Sequence, residues 1–292
     1  MYKLIAIDLD GTLLNTYGEI SENTKSTIKK AQQNGSEVII ASGRSLDSLK
    51  VFADEISSNR YIIAGNGSII YDIQKKEIIY EKCIPKIKAL NIIKMCEENS
   101  ITYSVYTNDK IIADSLRYNI LYYYKQNVKK DPSKKTNIVI VSNIYDYIKN
   151  NDEKVMKISI CDKHKSVFNS ILKTFSEFDG IKLLDISHAS RKVITNGTEE
   201  VTIEYFYTEI IEKNVDKWHA LHYLSKLLNI STNEIMTIGD NINDKKMIEQ
   251  AGLGIAMKGS LDQVINVANH VSDFDNDHDG VAKSIEKYIF NE

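Results

Sequence analysis

The chain is poor in cysteine and shows no sign of a disulfide framework. Its three cysteines, Cys83, Cys96 and Cys161, are odd in number, and none belongs to a C-x-x-C pair. This usage argues against the disulfide-dense class of secreted proteins. We therefore expect reduced thiols in an intracellular protein.

The chain also lacks a strong net charge and a long apolar run. Thirty-seven basic and forty acidic residues leave a formal charge of −3, which argues against a broad nucleic-acid surface. The N-terminal apolar stretch is short and ends at an aspartate, so neither a signal peptide nor a membrane span is indicated. We expect a cytoplasmic protein that binds no nucleic acid, no membrane and no obligate protein partner.

Strands and helices alternate at both ends of the chain. Short apolar runs bounded by turn residues predict strands, and amphipathic segments that end near glycine predict helices. The predicted strands are 4–8, 38–41, 61–64, 235–238 and 254–257, and the predicted helices are 23–34, 46–56, 217–228 and 244–250. Residues 69–80 predict a hairpin. Such alternation implies parallel pairing with right-handed crossovers, and therefore a doubly wound, Rossmann-like α/β sheet.

The middle of the chain is richer in tyrosine, lysine and asparagine. Its predicted strands are 103–106, 138–141, 155–160 and 201–205, and its predicted helices lie near 86–98, 114–126 and 163–175. With 292 residues, the chain has room for about two domains at roughly 150 residues each. The sequence therefore predicts a discontinuous α/β core, residues 1–83 and 209–292, with an α/β cap domain inserted at 84–208.

The first chemical motif is the run DLDGTLL at residues 8–14, at the end of the first predicted strand. Ligands of open α/β sheets bind beyond the carboxyl ends of the strands. Asp8 and Asp10 would there form an acidic site around a cation, with Gly11 allowing a sharp turn. Alone, the motif is equally compatible with a turn whose acids cap a helix.

Two further features follow predicted strands or open a predicted helix. Ser42, Gly43 and Arg44 follow the strand 38–41, where a hydroxyl and a glycine amide suit an oxyanion, although a plain helix cap explains them as well. Lys217 opens a helix, where its charge opposes the helix dipole, so its ammonium group has another task or is simply exposed.

The fourth feature is the loop GDNIND at residues 239–244, again at the end of an apolar strand. Its carboxylate and carboxamide oxygens suit Mg²⁺, which prefers one or two carboxylates together with water and phosphate oxygens. Capping and turn formation explain the loop taken alone. The four features together indicate one crevice that holds carboxylates, a hydroxyl, a glycine amide and a lysine.

In these four motifs the sequence resembles the haloacid dehalogenase-like superfamily, specifically its Cof-type phosphatases of subclass IIB. The resemblance extends to Asn66-Gly67, to residues 254–257 and to residues 279–282, and the insertion has the position expected for this subclass. One departure is the run Lys258-Gly259-Ser260, where related chains usually carry a Gly-Asn-Ala type of turn.

The resemblance implies a phosphatase that works through an aspartyl phosphate. Asp8 would be the nucleophile, and Asp10 would protonate the leaving oxygen and then activate water. Mg²⁺ would be held by Asp8, by the carbonyl of Asp10 and by Asp240. Phosphate would be bound by Leu9, Ser42, Gly43, Lys217 and Asn243. Arg44 and Asp244 would support the site.

The expected substrate is a small phosphorylated metabolite, and a sugar phosphate is the first candidate. Two alternatives remain: a phosphohexomutase-like phosphotransferase, and a non-catalytic sensor of phosphosugars. The intact pair of Asp8 and Asp10 argues against the sensor. Closure of the cap domain would exclude water, and its side chains would select the leaving group.

Other signals favour ordinary structural roles. Residues 275–286 match the EF-hand pattern, but no long helix precedes them and Lys283 occupies a ligand position. His219 and His222 lie three residues apart, and two histidines alone favour a solvated or packed surface over a metal site. Gly65 begins no complete dinucleotide-binding motif. The lysines and tyrosines of the insertion favour a solvated or packed surface, with contacts to an anionic substrate as the alternative: Lys125, Lys129, Lys130, Lys134, Lys135, Tyr118, Tyr122, Tyr123 and Tyr124.

Overall fold

The structure is a computed structural model, and it describes residues 2–58, 60–132, 135–184, 189–196 and 199–290. Lys134 of the lysine-rich stretch lies outside these residues. The chain folds as two compact units, one comprising Met1–Glu81 and Val215–Glu292 and the other Lys82–Asn214.

The first unit begins with alternating strands and helices followed by a hairpin. These elements are β1 (Leu4–Ile7), α1 (Glu22–Gln33), β2 (Glu37–Ala41), α2 (Leu46–Glu55), β3 (Tyr61–Ala64), β4 (Ile69–Asp72) and β5 (Glu77–Glu81). The β1 residues are all fully buried, as expected for a central strand covered on both faces.

The described residues of the second unit form four helices and seven strands. They are α3 (Lys86–Glu98), β6 (Thr102–Tyr106), β7 (Ile111–Ala113), α4 (Tyr118–Lys129), β8 (Ile138–Ile140), α5 (Ile144–Asn150), β9 (Lys157–Asp162), α6 (Lys165–Ser176), β10 (Ile181–Leu183), β11 (Ala189–Asn196) and β12 (Glu199–Glu212). The predicted domain boundary between residues 208 and 209 falls inside β12.

The chain returns to the first unit after β12. The remaining elements are α7 (Lys217–Leu227), β13 (Ile235–Gly239), α8 (Lys245–Gln250), β14 (Leu253–Ala256), α9 (Asp262–Ile265), β15 (His270–Val271) and α10 (Gly280–Ile285). Among the described residues, none of the helices combines the length and the apolar character that crossing a membrane requires.

The sheet of the first unit has the strand order β15-β14-β13-β1-β2-β3-β4-β5. The strands from β15 to β3 are parallel, and β4 and β5 add an antiparallel hairpin. The chain passes from β1 to one side through β2 and later returns to the other side through β13. This arrangement confirms the predicted doubly wound α/β fold and creates a switch point beside β1.

The second unit has its own sheet and its own core. Its strands follow the order β10-β12-β9-β6-β7-β8, with β11 paired to β12. Alternate residues of β6 and β9, such as Val105, Ile158 and Ile160, are buried against apolar residues of α3, α5 and α6. The three cysteines are free thiols, and Cys96 and Cys161 are buried.

Candidate active site

Three of the predicted motifs meet because their strands are parallel neighbours. β1 pairs in parallel with β13 on one side and with β2 on the other. Asp8, Ser42 and Asp240 each follow the last residue of one of these strands. The carboxyl ends of parallel strands lie at one edge of the sheet, which places these three residues at the switch point.

Lys217 connects the first motif with the fourth. It is the first residue of α7 and is completely buried, and its Nζ lies 2.5 Å from Asp8 Oδ1 and 2.5 Å from Asp244 Oδ1. A lysine at a helix N-terminus opposes the helix dipole. Here two buried carboxylates compensate its charge, which answers the question that the sequence left open.

Asp244 is held from several directions. Its Oδ1 accepts the hydrogen bond from Lys217, and its Oδ2 accepts from the backbone amides of Asp240 and Asn241, both at 3.1 Å. Its side chain is completely buried. Both carboxylate oxygens are therefore engaged within the protein.

Asp240 is oriented by residues of the first motif. Thr12 Oγ1 donates to Asp240 Oδ1 at 2.9 Å. Gly11 adopts a φ of +82°, and a Cβ atom at this position would lie 2.7 Å from Asp240 Oδ2. The motif therefore needs glycine for both its turn and the close approach. Thr12 is absent from the predicted site residues, although its place within the first motif marked it.

Three carboxylates form a cluster that could hold a cation. Carboxylate oxygens of Asp8, Asp240 and Asp244 all lie within 4.8 Å of one another. Burial, followed by the charge of Asp244, raises the pKa of Asp8 above its usual range although Lys217 opposes this. Burial and Asp244 also raise the pKa of Asp240 to about 6.

The electrostatics of Lys217 run in the opposite sense. Burial by itself would lower the pKa of Lys217, but the charges of Asp244 and Asp8 outweigh it and raise that pKa. Lys217 therefore stays protonated, and the carboxylates around it outnumber its single positive charge. Such a surplus of negative charge is what a bound cation would offset.

The second motif brings Arg44 to Asp10. Arg44 Nε donates to Asp10 Oδ2 at 2.8 Å, and an Nη nitrogen of Arg44 donates to Asp10 Oδ1 at 2.5 Å. The backbone amide of Arg44 also donates to Ser42 Oγ at 3.2 Å. Arg44 thus links the second motif to the second aspartate of the first, a contact that the sequence did not predict.

Asn243 is linked to a residue outside the four motifs. Its Nδ2 donates to Asn66 Oδ1 at 3.0 Å, and a Cβ atom added to Gly43 would lie 2.8 Å from the same oxygen. The sequence marked Asn66 only as part of the family resemblance and missed it as a residue of the site. The Asn-Gly pair directly after a buried strand was the available signal.

The remaining predicted residues have clear positions. The Leu9 side chain is completely buried, so only its backbone could face a ligand.

In the acidic loop before α10, Asp277 accepts from the backbone and hydroxyl of Thr16, and Asp279 accepts from Ser21 and Asn23. These acids bind the segment that leads into α1.

The chain matches one family model over residues 5–285, that of haloacid dehalogenase-like hydrolases. Phosphatase YwpJ of Bacillus subtilis is 28% identical, and the alignment covers 96% of this chain and 97% of that protein. The 5-amino-6-(5-phospho-D-ribitylamino)uracil phosphatase YitU of Bacillus subtilis is 27% identical, with 98% and 97% covered.

A crystal structure of a Thermotoga maritima protein is similar at a TM-score of 0.74 and 27% identity, covering 98% of this chain and 97% of that one. A haloacid dehalogenase-like hydrolase from B. subtilis has the same fold at a TM-score of 0.79 and 24% identity, with 98% and 99% covered. The family match spans both units and all four motifs, which confirms the resemblance predicted from sequence. This chain belongs to the haloacid dehalogenase-like hydrolase family.

Proposed function

We propose that this protein is a magnesium-dependent phosphatase that hydrolyses a small phosphorylated metabolite through an aspartyl phosphate at Asp8. The contact of Lys217 Nζ with Asp8 Oδ1 and Asp244 Oδ1, both at 2.5 Å, supports this proposal most directly. This contact joins a candidate nucleophile, Asp8, to the buried ammonium group of Lys217 at the switch point of the sheet, where ligands of this fold class bind.

The residues of the cluster fit Mg²⁺. Hard cations of this kind are bound by one or two carboxylates together with other oxygen ligands. Since both oxygens of Asp244 are engaged by Lys217 and by two backbone amides, Asp8 and Asp240 would hold the ion, together with the carbonyl of Asp10. When bound, Mg²⁺ would offset the repulsion between these carboxylates and a phosphate group.

Asp8 and Asp10 would divide the covalent chemistry. An oxygen of Asp8 forms a bond to phosphorus while the bond from phosphorus to the leaving oxygen breaks, and Asp10 donates a proton to that oxygen. Asp10, now ionised, then takes a proton from the water that attacks the aspartyl phosphate. Asp8 and inorganic phosphate are released, and Asp10 is again protonated.

The other predicted residues would position the phosphate group. Phosphoryl transfer depends mostly on alignment and on neutralising charge. The Ser42 hydroxyl, the Gly43 amide, the Leu9 backbone, the Lys217 ammonium and the Asn243 carboxamide supply the groups needed. Arg44 would hold Asp10 through the two hydrogen bonds between their side chains.

We further propose that the substrate is a sugar phosphate or a similar polyol phosphate. The B. subtilis relative YitU is named for a phosphorylated ribitylamino compound, which carries its phosphate on a polyol chain. The inserted unit, residues 82–214, would select the leaving group.

The test is phosphate release from a panel of sugar, polyol and cofactor phosphates, measured with Mg²⁺ and with a chelator. The parent is compared with Asp8→Asn, which keeps the side-chain shape but removes the nucleophile. Asp54→Asn serves as the matched control because Asp54 is an exposed residue of α2. Release that requires both Mg²⁺ and Asp8 supports the proposal.

Three results would contradict it. Equal release by the parent and by Asp8→Asn would exclude Asp8 as the nucleophile. Isomerisation of a hexose phosphate without net release would identify a phosphomutase. Ligand binding without any turnover by folded parent protein would identify a sensor.

A further inference from the structure

The turn that follows β3 is bonded to the loop of the second motif. This turn, Gly65–Gly67, contains Asn66 in a left-handed conformation with φ 57° and ψ 28°. The Asn66 amide donates to the Ser42 carbonyl at 2.9 Å, and the Gly65 amide donates to the Arg44 carbonyl at 2.9 Å. The backbone of the turn therefore fixes the segment that carries Ser42.

The same turn packs against the start of α7. Gly67 has a φ of +97°, and a Cβ atom on it would lie 2.2 Å from the carbonyl oxygen of Asp216 and 3.1 Å from the Lys217 amide nitrogen. Only glycine permits this approach together with this backbone conformation. The turn is thus in contact with the backbone that places Lys217.

The Asn66 side chain connects the second motif with the fourth. It is buried, with 3% of its surface exposed. Its Oδ1 accepts from Asn243 Nδ2 at 3.0 Å and lies against Gly43, where an added Cβ would be 2.8 Å away. One carboxamide therefore contacts two positions that the proposed function assigns to phosphate binding.

This contact would orient the Asn243 side chain. A carboxamide nitrogen carries two hydrogens, so a bond from one of them to Asn66 leaves the second free to point at a ligand. Without this bond, the Asn243 side chain would sample several rotamers and would have to be ordered again on each binding event.

We propose that Asn66 is a positioning residue of the phosphate site, which acts through Asn243 and through the Ser42 loop. This inference rests on the proposed function, because it assumes that Asn243 and Ser42 bind phosphate. Asparagine suits the position for two reasons. It tolerates the left-handed backbone better than most residues, and it accepts a hydrogen bond without adding negative charge near a phosphate group.

Asn66→Gly isolates the side-chain effect, because glycine keeps the left-handed backbone without strain. We expect kcat/KM to fall roughly five- to tenfold, the size of one hydrogen bond. Asn229→Gly is the matched control, since Asn229 is an exposed asparagine with a φ of 55° that lies outside the site. The control should stay within about twofold of the parent.

A double-mutant cycle with Asn243→Ala distinguishes positioning from a general structural role. Asn66→Gly retains the backbone amide that donates to the Ser42 carbonyl, so the cycle tests the Asn66 side chain. If that side chain acts through Asn243, Asn66→Gly should change kcat/KM less than about twofold in the Asn243→Ala background. Independent effects that multiply in the double variant would overturn the inference. A thermal unfolding curve for each protein identifies any variant that is not folded at the assay temperature.

Two measurements keep the test valid if a variant is unstable or the parent is inactive. The side-chain amide resonances of Asn243, identified by their loss in Asn243→Ala, should shift in Asn66→Gly at low temperature, and unchanged resonances would overturn the inference. If the parent releases no phosphate, the proposed function fails. In that case the same double-mutant cycle is measured through the dissociation constant of inorganic phosphate. Additive effects of Asn66→Gly and Asn243→Ala on the binding free energy, or no phosphate binding by the parent, would also overturn the inference.

Discussion

Each of the two units buries a lysine beside carboxylates, but the two arrangements differ in charge. In the first unit, Lys217 lies 2.5 Å from both Asp8 and Asp244, and Asp240 belongs to the same cluster. In the inserted unit, Lys157 Nζ lies 2.6 Å from Glu209 Oε1. A pair of this kind carries no net charge, whereas three carboxylates around one lysine leave a surplus of negative charge.

The difference indicates what each arrangement is for. Lys157 and Glu209 stand on the paired strands β9 and β12, and Lys157 Nζ also lies 4.7 Å from the centre of the Tyr106 ring. These contacts tie together elements of one sheet. The surplus negative charge near Asp8 instead opposes folding, and carboxylates with raised pKa values are typical of functional sites.

The largest expected effect is on activity, from Lys217→Met. This change removes the only lysine that contacts Asp8 among the described residues and leaves the carboxylates without its charge. We expect kcat to fall by roughly 10³-fold, as when a preorganised charge donor is removed from an active site. Steady-state kinetics measure this, with Lys226→Met as control, because Lys226 is an exposed lysine of the same helix. Retained activity would contradict the role of Lys217.

The next effect is on stability, from Lys157→Met. It removes the lysine partner of Glu209, whose side chain is nearly buried. The free energy of unfolding should therefore fall by about 3 kcal/mol. The double variant Lys157→Met, Glu209→Leu should recover most of the loss, because an apolar pair replaces an ion pair at little cost. Urea unfolding measures both variants. A double variant no more stable than the single one would refute a structural pair.

A smaller effect is the pH dependence of stabilisation by Mg²⁺. The folded pKa of Asp240 is about 6, above the unfolded value of about 3.9. Its ionisation therefore destabilises the metal-free protein as pH rises from about 4 to 6. The raised pKa of Asp8 acts in the same direction. Mg²⁺ should remove this cost by neutralising the ionised carboxylates.

Thermal unfolding at pH 5 and pH 7.5 checks this expectation. Mg²⁺ at one hundred times its dissociation constant stabilises by about 2.7 kcal/mol, so the increase in Tm should be several degrees at pH 7.5 and smaller at pH 5. Sodium chloride of equal ionic strength is the control for screening. Equal increases at both pH values would refute the metal site.

The smallest effect is on the Mg²⁺ requirement of Thr12→Val. The change keeps the side-chain shape but removes the hydroxyl that donates to Asp240 Oδ1 at 2.9 Å. Hydrogen bonds to metal ligands contribute roughly tenfold to metal affinity, so the Mg²⁺ concentration for half-maximal activity should rise about tenfold. Thr12→Ser retains the hydroxyl and should resemble the parent. An unchanged requirement would mean that Thr12 does not orient Asp240.

Prediction from sequence succeeded for continuous apolar runs bounded by turn residues and for helices of about three turns. The predicted strand 61–64 is confirmed as β3, and the predicted helix 23–34 corresponds to α1. In the inserted unit, the eight-residue β11 was not predicted because its sequence shows no regular alternation of apolar and polar residues. The strands β7 and β10 and the helix α5 were not predicted either; they contain three, three and seven residues. Elements this short complete too few repeats of a helical or strand period to be recognised.

Local sequence sufficed to identify the acidic motifs and the strand ends on which they lie. Apolar runs, turn residues and the spacing of aspartates are properties of short segments, and they locate Asp8, Asp10 and Asp240 without knowledge of the fold.

Folding decided which side chains meet. Lys217 reaches Asp8 across 209 residues of sequence, and Asn66 reaches Asn243 across 177. These contacts depend on crossovers that bring β3, α7 and β13 to one edge of the sheet, and on rotamers set by close packing. Local periodicity predicts neither these crossovers nor these rotamers. The Asn66 carboxamide was therefore identified as part of the site only from the folded protein.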